Sequence, residues 1–380
     1  MRHQNSVFHD LLKRVPWSRF DDLVIEHGAD KHVRRLSTKS QFVALLYGQL
    51  SGALSLREIV GGLSSHRSRL YHLGARPVQR STLADANGKR SSAVFMELFA
   101  EMARHVHRGL RRRIGDTTYL IDSTGLRLSG AGSQWAHFSY KACGAKAHVI
   151  YDADAACPVY ASVTAAKVND ITAAHHMPIE SGATYVFDLG YFDCAWWADL
   201  DAKGCRIVTR FKKNTPFKVV EEHAVPEAPD ILSDRTGELT ARRMNGRRNP
   251  FTKPVREVRV KTETGKILRL FCNDLKATAR EIADLYKRRW AIELFFRWVK
   301  QILKIKHFLG NSENAVRIQI AVALIAYLLL RLAQQTQSAV ASPLAFARLV
   351  RQNLMHRKRI DRLLEPDTSE PRPTSQWALI

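Results

Sequence analysis

Three carboxylates stand out by their setting. Asp122 follows the apolar run of Tyr119-Leu-Ile-Asp-Ser-Thr124, and Asp188 follows that of Tyr185-Val-Phe-Asp-Leu-Gly-Tyr191. An apolar strand that stops at Asp aims the carboxylate out of a sheet from a buried, immobile backbone. Asp also starts turns by hydrogen-bonding to its own backbone, so each one alone carries two readings. The third, Glu293, shares a predicted helix with Tyr286, Arg289 and Lys300, at offsets of 0, 3, 7 and 14 residues from Tyr286. At about 100° per residue, the four from Tyr286 to Lys300 project near 0°, 300°, 340° and 320°, while Ile292, Phe295, Val299, Ile302 and Leu303 fall at about 160–260° and form the core face. A solvated face with an i,i+4 pair of Arg289 and Glu293 is the plainer reading. It does not account for Tyr286 in the stripe or for two Asp-terminated strands ahead of it.

Three carboxylates without cysteine or histidine partners are hard oxygen ligands, suited to Mg²⁺ or Mn²⁺ over zinc. Two such ions about 4 Å apart can activate a water or a 3′-hydroxyl and stabilise the leaving oxygen of a phosphodiester. Arg289 and Lys300 would hold phosphates, the first through its planar fork and the second as a point charge. Tyr286 would add a hydrogen bond or a stacking face. The charge balance fits this substrate: 59 Lys and Arg against 36 Asp and Glu give +23 over 380 residues, a field that attracts polyanions. Nucleic acid is the leading partner and a membrane surface the second.

The elements that must position these residues change in texture along the chain. Residues 8–113 read as helical, with the strongest helices over 40–51 and 91–108 and a helix-turn-helix candidate between them, in which Ser81 caps a helix presenting Arg80, Asp85 and Asn87. Strands are expected over 117–123, 146–152, 158–164, 184–189 and 205–211, with helices from Asn169 and over 194–202, which makes the centre α/β. Residues 212–273 read as a β-rich insertion with pieces at 217–221, 238–243, 255–261 and 267–272, crowded with Arg242, Arg243, Arg247 and Arg248 beside Gly246. One long helix is expected over 277–305 and another over 313–335. The tail beyond Glu365, with Pro366, Pro371 and Pro373, reads as disordered. The division is then 1–113, 114–211, 212–273, 274–340 and 341–380.

Composition bounds the rest. With 45% apolar and 25% charged residues, the chain is an ordinary soluble globular protein of two or three domains. Its uncharged stretch 318–330 is shorter than the roughly 20 residues of a bilayer span and reads as a buried helix. Residues 1–10 carry no export signal. Five cysteines, odd in number and without a C-x-x-C pair, signal neither a disulfide framework nor a zinc module and place the chain in a reducing cytosol.

The helix Tyr286-Lys-Arg-Arg-Trp-Ala-Ile-Glu-Leu-Phe-Phe-Arg-Trp-Val-Lys300 matches the pattern Y-x2-R-x3-E-x6-K at every fixed position and resembles the DDE transposases of the IS-four insertion-sequence family. Ile121-Asp-Ser-Thr-Gly125 is similar to that family's first aspartate region and Phe187-Asp-Leu-Gly-Tyr191 to its second, with Leu189 departing from the polar or basic residue common after the second aspartate. The 105 residues from Asp188 to Glu293 hold the basic β-rich stretch, as in relatives with a β-strand insertion. The resemblance covers roughly residues 119–330. It implies an RNase H-like mixed sheet flanked by helices, with that insertion and an all-helical N-terminal DNA-binding domain. It further implies cut-and-paste transposition, in which two divalent cations, Mg²⁺ or Mn²⁺, bound by Asp122, Asp188 and Glu293 free a 3′-hydroxyl at each element end and support strand transfer. A hairpin intermediate on the element end is also known in the family. Tyr286, Arg289 and Lys300 would contact the terminal inverted repeats. The resemblance further implies target DNA, a homodimer in a synaptic complex, a bacterial cytoplasmic location at the nucleoid and no membrane. An aromatic of the insertion, among Phe211, Phe217 and Phe251, would hold a flipped base.

Other polar residues read as structural. Asp152 and Asp154 suit a hairpin turn, Asp116 precedes the first strand, Asp170 suits a helix cap, and His175 with His176 point in different directions. His137 and His148 stand isolated, and Trp196 and Trp197 suit core packing. Two rival functions remain: a non-catalytic repressor derived from a transposase, and an RNase H-like nuclease that only hydrolyses DNA.

Overall fold

The computed structural model describes residues 5–108, 114–128, 133–139, 142–225, 228–240, 248–303 and 308–364. Arg242, Arg243, Gly246 and Arg247, the expected helix end at 304–305 and the tail from Glu365 onward lie outside these residues.

Six helices come first: α1 (Val7–Leu12), α2 (Trp17–Glu26), α3 (Thr38–Ser51), α4 (Leu56–Ser65), α5 (Arg80–Lys89) and α6 (Ala93–Arg108). Serine caps start three of them, with Ser6, Ser37 and Ser55 each accepting a first-turn amide, as an N-cap should. The expected helix-turn-helix does not form. Residues 66–79 separate α4 from α5 and hold two 3₁₀ turns, far more than the three or four residues of such a turn. Ser81 lies inside α5, whose N-cap is Gln79. Asn87 is buried and accepts from Gln41 Nε2 at 2.8 Å, so Arg80 and Asp85 face solvent without it.

Among the described residues ten strands follow: β1 (Thr118–Leu128), β2 (His137–Ser139), β3 (Ala142–Asp152), β4 (Cys157–Ala165), β5 (Thr184–Phe187), β6 (Arg206–Arg210), β7 (Phe217–His223), β8 (Ile231–Leu239), β9 (Val255–Lys261) and β10 (Ile267–Cys272). The remaining helices are α7 (Asp170–Ala174), α8 (Cys194–Ala202), α9 (Ala279–Arg288), α10 (Trp290–Ile302), α11 (Glu313–Gln334) and α12 (Pro343–Asn353). All strands join one sheet in the order β2, β3, β1, β5, β6, β10, β9, β8, β7, with β4 also on β3. β1, β3 and β4 pair antiparallel, whereas β1, β5 and β6 pair parallel. This is the expected RNase H-like mixed sheet with helices on both faces. The expected β-rich stretch supplies β7 to β10, and it continues the same sheet because β10 pairs with β6. Of the expected piece 238–243, Glu238 and Leu239 belong to β8, and 241–243 lie outside the described residues.

Successive strand residues face opposite sides, and β1 therefore feeds two cores. Tyr119 and Ile121 join Trp196, Trp197, Phe187 and Phe271 on the side of α7 and α8. Leu120 joins the larger core of α9, α10, α11 and the N-terminal helices. α11 runs through that larger core; it is long and apolar enough to cross a membrane, but 83% of its apolar window is buried inside the protein. The N-terminal helices pack on it and are tied to the C-terminal part by hydrogen bonds, such as Asn314 Nδ2 to the Asn87 carbonyl at 2.9 Å and Arg351 Nε to the Leu50 carbonyl at 3.2 Å.

Candidate active site

The register of the parallel pair brings the first two carboxylates together. β1 and β5 pair from Thr118 with Thr184 to Ile121 with Phe187, so the next residues on each strand are Asp122 and Asp188, at one level. There β5 ends, while β1 runs on against β3 as far as Leu128. Asp122 is therefore not the end of its strand, as expected from sequence. It lies where β1 loses one of its two neighbours, in the crevice that opens beyond the carboxyl ends of parallel strands. Each aspartate commits Oδ1 to a backbone amide: Asp122 accepts from Ser123 N and Asp188 from Gly190 N, both at 2.8 Å. Asp188 thus starts the 3₁₀ turn Leu189–Tyr191, whereas Asp122, inside β1, starts no turn.

The third carboxylate arrives from the helices. The expected single helix is two, α9 and α10, with Arg289 at the junction as the last cap of one and the first of the other. Tight three-residue bonds, Arg289 N to the Tyr286 carbonyl at 3.1 Å and Ile292 N to the Arg289 carbonyl at 3.2 Å, mark the break, as 3₁₀ geometry does where two helices abut. The core face of α10 is the expected one: Ile292, Phe295, Val299, Ile302 and Leu303 are all buried. That burial leaves Glu293 off the core face, within reach of Asp122 through Arg289. One guanidinium bridges two carboxylates there, since Arg289 Nη1 stands 3.5 Å from Asp122 Oδ2 and Nη2 pairs with Glu293 Oε1.

The aspartate end of the site is short of positive charge. Burial pushes the Asp122 carboxyl up to about 6, and the neighbouring Asp188 and Glu293 push the same way, against the Ser123 amide and Arg289. Desolvation thus outweighs the ion pair, as it does for carboxyls withdrawn from water. Tyr286 is not a surface residue of the stripe. It is buried, its hydroxyl has no hydrogen-bond partner, and its ring lies between the guanidinium groups of Arg289 at 5.8 Å and Arg210 at 5.9 Å. Arg210, at the end of β6, was not singled out by sequence, although it too closes an apolar strand. Lys300 lies seven residues past Glu293 on α10, half-buried.

No three His, Cys, Asp or Glu side chains converge to grip one ion among the described residues. Arg289 instead neutralises Asp122 and Glu293. The donor set nevertheless fits hard divalent cations, being carboxylate oxygens alone, and the raised Asp122 is a carboxyl that a cation would relieve.

Behind the aspartates lies a second polar cluster that sequence reasoning missed. Asp170 does not cap α7, whose N-cap Asn169 makes no side-chain cap bond. Its Oδ1 accepts from Ser123 Oγ at 2.7 Å and from Lys146 Nζ at 3.2 Å. His148 is fully buried, with Nδ1 3.7 Å from Asp170 Oδ1 and Nε2 2.8 Å from Thr164 Oγ1. Burial holds this imidazole down to about 4, against the pull of Asp170. The available signal was Lys146-Ala-His148, a spacing that puts both side chains on one face of a strand.

The remaining expectations divide plainly. Asp152 is a turn former, accepting the amides of Asp154 and Ala155 at 2.9 and 2.8 Å, and Asp154 pairs with Arg288. His137, His175 and His176 are exposed, and Trp196 and Trp197 are core. Phe211 and Phe251 are buried on Phe271, and Phe217 packs on Phe211, so all three insertion aromatics belong to the second core. The five cysteines are free thiols.

Comparison with known proteins agrees with this geometry. A family model described as a transposase DDE domain matches residues 113–329, and one described as a domain of unknown function, DUF4372, matches residues 3–76. A protein of Sinorhizobium fredii named as the transposase y4zB is 40% identical over 299 residues, 78% of this chain and 82% of that one. A Geobacillus stearothermophilus protein named as a transposase for insertion sequence element IS5377 is 29% identical over 263 residues, 68% of each chain. Among solved structures, a piggyBac transposase synaptic complex with hairpin DNA aligns with a TM-score of 0.45 and 12% identity over 95% of this chain and 81% of that one. The DDE domain spans more than half of the chain, and the protein belongs to the DDE transposases of insertion sequences, of the IS-four type.

Proposed function

We propose that this transposase binds the terminal inverted repeats of its element and moves the element by metal-dependent DNA cleavage and strand transfer. The observation that carries this reading is the register of β1 on β5, which sets Asp122 beside Asp188, with Arg289 bridging Asp122 to Glu293. Asp122, Asp188 and Glu293 would hold two divalent cations, Mg²⁺ or Mn²⁺, which when bound activate the attacking oxygen and stabilise the leaving one. Arg289 would hand its carboxylates to the cations and take up a phosphate of the element end, a ligand its planar fork fits as well as it fits a carboxylate. Tyr286, wedged between Arg210 and Arg289, would keep that guanidinium aimed, and Lys300 would contact a phosphate farther along.

In this reading residues 1–113 form the DNA-binding part. They present exposed Lys31, Arg34, Arg35 and Lys89 around one cavity, with Arg80 exposed on α5. The β-rich stretch 212–273 extends the binding face, and two copies act together on paired ends in the bacterial cytoplasm. Such basic surfaces bind DNA mainly through phosphates and weaken as salt rises. The test is a strand-transfer assay with precut element ends and Mg²⁺. Joined products support transposition, hydrolysis without joining would leave a nuclease, and binding without either would leave a repressor.

A further inference from the structure

Asp122 and Ser123 are consecutive on β1 and so face opposite sides of the sheet. Asp122 looks toward α10, whereas Ser123 looks toward α7 and meets Asp170 there. Ser123 is tied at both ends: its amide holds Asp122 Oδ1, and its hydroxyl is held by Asp170 Oδ1. Gly190 stands in a matching place beside the other aspartate. Its amide holds Asp188 Oδ1, and its Cα packs so closely that an added Cβ would lie 3.0 Å from Asp188 Oδ1 and 3.1 Å from Asp170 Oδ2. One carboxylate thus touches both residues whose backbone amides hold the site's aspartates.

Asp170 is itself fixed. Lys146 Nζ donates to Asp170 Oδ1 at 3.2 Å and to the Val168 carbonyl at 3.0 Å, which pins the segment entering α7 onto β3. His148, opposite Ser123 in the β1–β3 register, closes the cluster, and its buried Nδ1 is without a hydrogen-bond partner. A fourth carboxylate beside three others is a cost in repulsion unless it is compensated, and the Lys146 pair compensates it locally. The cluster serves no need of α7, which it does not cap, and no need of the turn, which Asn169 and Val168 already make with backbone bonds.

We propose that Asp170 is a positioning residue of the active site. From behind the sheet it registers Ser123 and Gly190, and through them it orients the Asp122 and Asp188 carboxylates as one unit. The proposal rests on the assignment of those aspartates above. Groups that orient metal-binding side chains from a step away are worth about 10–100-fold in metal affinity or activity.

The test uses the full chain and five proteins: wild type, Asp170→Ala, Asp170→Asn, Ser123→Ala and Asp122→Asn. Mn²⁺ binding to the DNA-free protein is read from the electron paramagnetic resonance of unbound Mn²⁺. Cleavage is read on linear DNA carrying the terminal inverted repeats that flank the gene. Asp170→Ala is expected to weaken Mn²⁺ binding and slow cleavage at saturating DNA by about 10–100-fold, with unchanged affinity for the ends. Asp170→Asn keeps the shape and the acceptor for Ser123, and should recover most of both, a rescue that loss of folding could not give. Ser123→Ala should show a smaller loss in the same direction. Wild-type Mn²⁺ binding and cleavage in Asp170→Ala would overturn the proposal, and so would an Asp170→Asn as inert as Asp122→Asn, which would make Asp170 a ligand in its own right. Cleavage by Asp122→Asn would instead remove the site on which the proposal rests.

Discussion

The two faces of β1 at the active site are built on opposite principles. Toward α10, Asp122 and Glu293 share the Arg289 guanidinium, and burial, with Asp188 and Glu293 nearby, pushes Asp122 up to about 6. Toward α7, Asp170 is matched by Lys146 and takes a hydroxyl from Ser123, so its charge is satisfied within the fold. The front face is left wanting positive charge that a ligand can supply, and the back face is complete without one. One residue apart on the same strand, binding and support are divided by the alternation of side chains.

The largest expected effect breaks the front face. Asp122→Asn or Asp188→Asn should lower cleavage by about 10³-fold or more, the scale on which groups acting as a unit fail, while leaving retention on DNA in a mobility-shift assay.

Stability sharpens the contrast, because the faces should respond with opposite signs. The folded-state value of Asp122 lies above its ordinary one, so the contribution it makes is present below about pH 4 and is lost as pH rises to about 6. A shift of this size is worth about 2–3 kcal/mol. Metal-free Asp122→Asn should therefore be more stable than wild type above pH 6 and lose the pH dependence between 4 and 6 in urea titrations. Asp170→Asn, which gives up the half-buried Lys146 pair, should instead be destabilised by about 1 kcal/mol at neutral pH.

Gly190→Ala should cost about 1–2 kcal/mol, as overpacking does, because the new methyl meets a carboxylate oxygen on each side. In Asp170→Ala the same substitution should cost less, a non-additivity expected of neighbours; full additivity in thermal melts would separate the two residues. The smallest effect is that of Lys300→Ala, which should reduce the salt slope of binding to element ends by about 1, the signature of one lost phosphate contact.

Much of the front face was legible in the chain. Helical spacing alone gives the Arg289–Glu293 pair, and the apolar complement, Ile292 to Leu303, is buried as periodicity requires, whereas Tyr286 is buried on the preceding helix. The two aspartates were found because apolar runs precede them, but that β1 continues past Asp122 depends on its partner β3, which no local pattern reports. The break at Arg289 carries no Pro or Gly, so the segment reads as one helix. Asn87 was misplaced because its polarity suggested exposure, whereas Gln41 satisfies it inside the core. The back face was not legible, since Ser123, Lys146, His148 and Asp170 come from three separate segments and meet only through strand pairing. For the same reason the chain does not show that the β-rich stretch extends the central sheet, which it does through β10 on β6.

The central claim is that Asp122, Asp188 and Glu293 form one metal-dependent site that cuts the element's ends. Its most direct test is cleavage of linear DNA carrying the flanking terminal inverted repeats, with Mg²⁺ or Mn²⁺ or with chelator, by wild type and Glu293→Gln. Cuts at the repeat ends that require the metal and vanish in Glu293→Gln are the expected result. Equal cutting by both proteins, or cutting that persists in chelator, would contradict it.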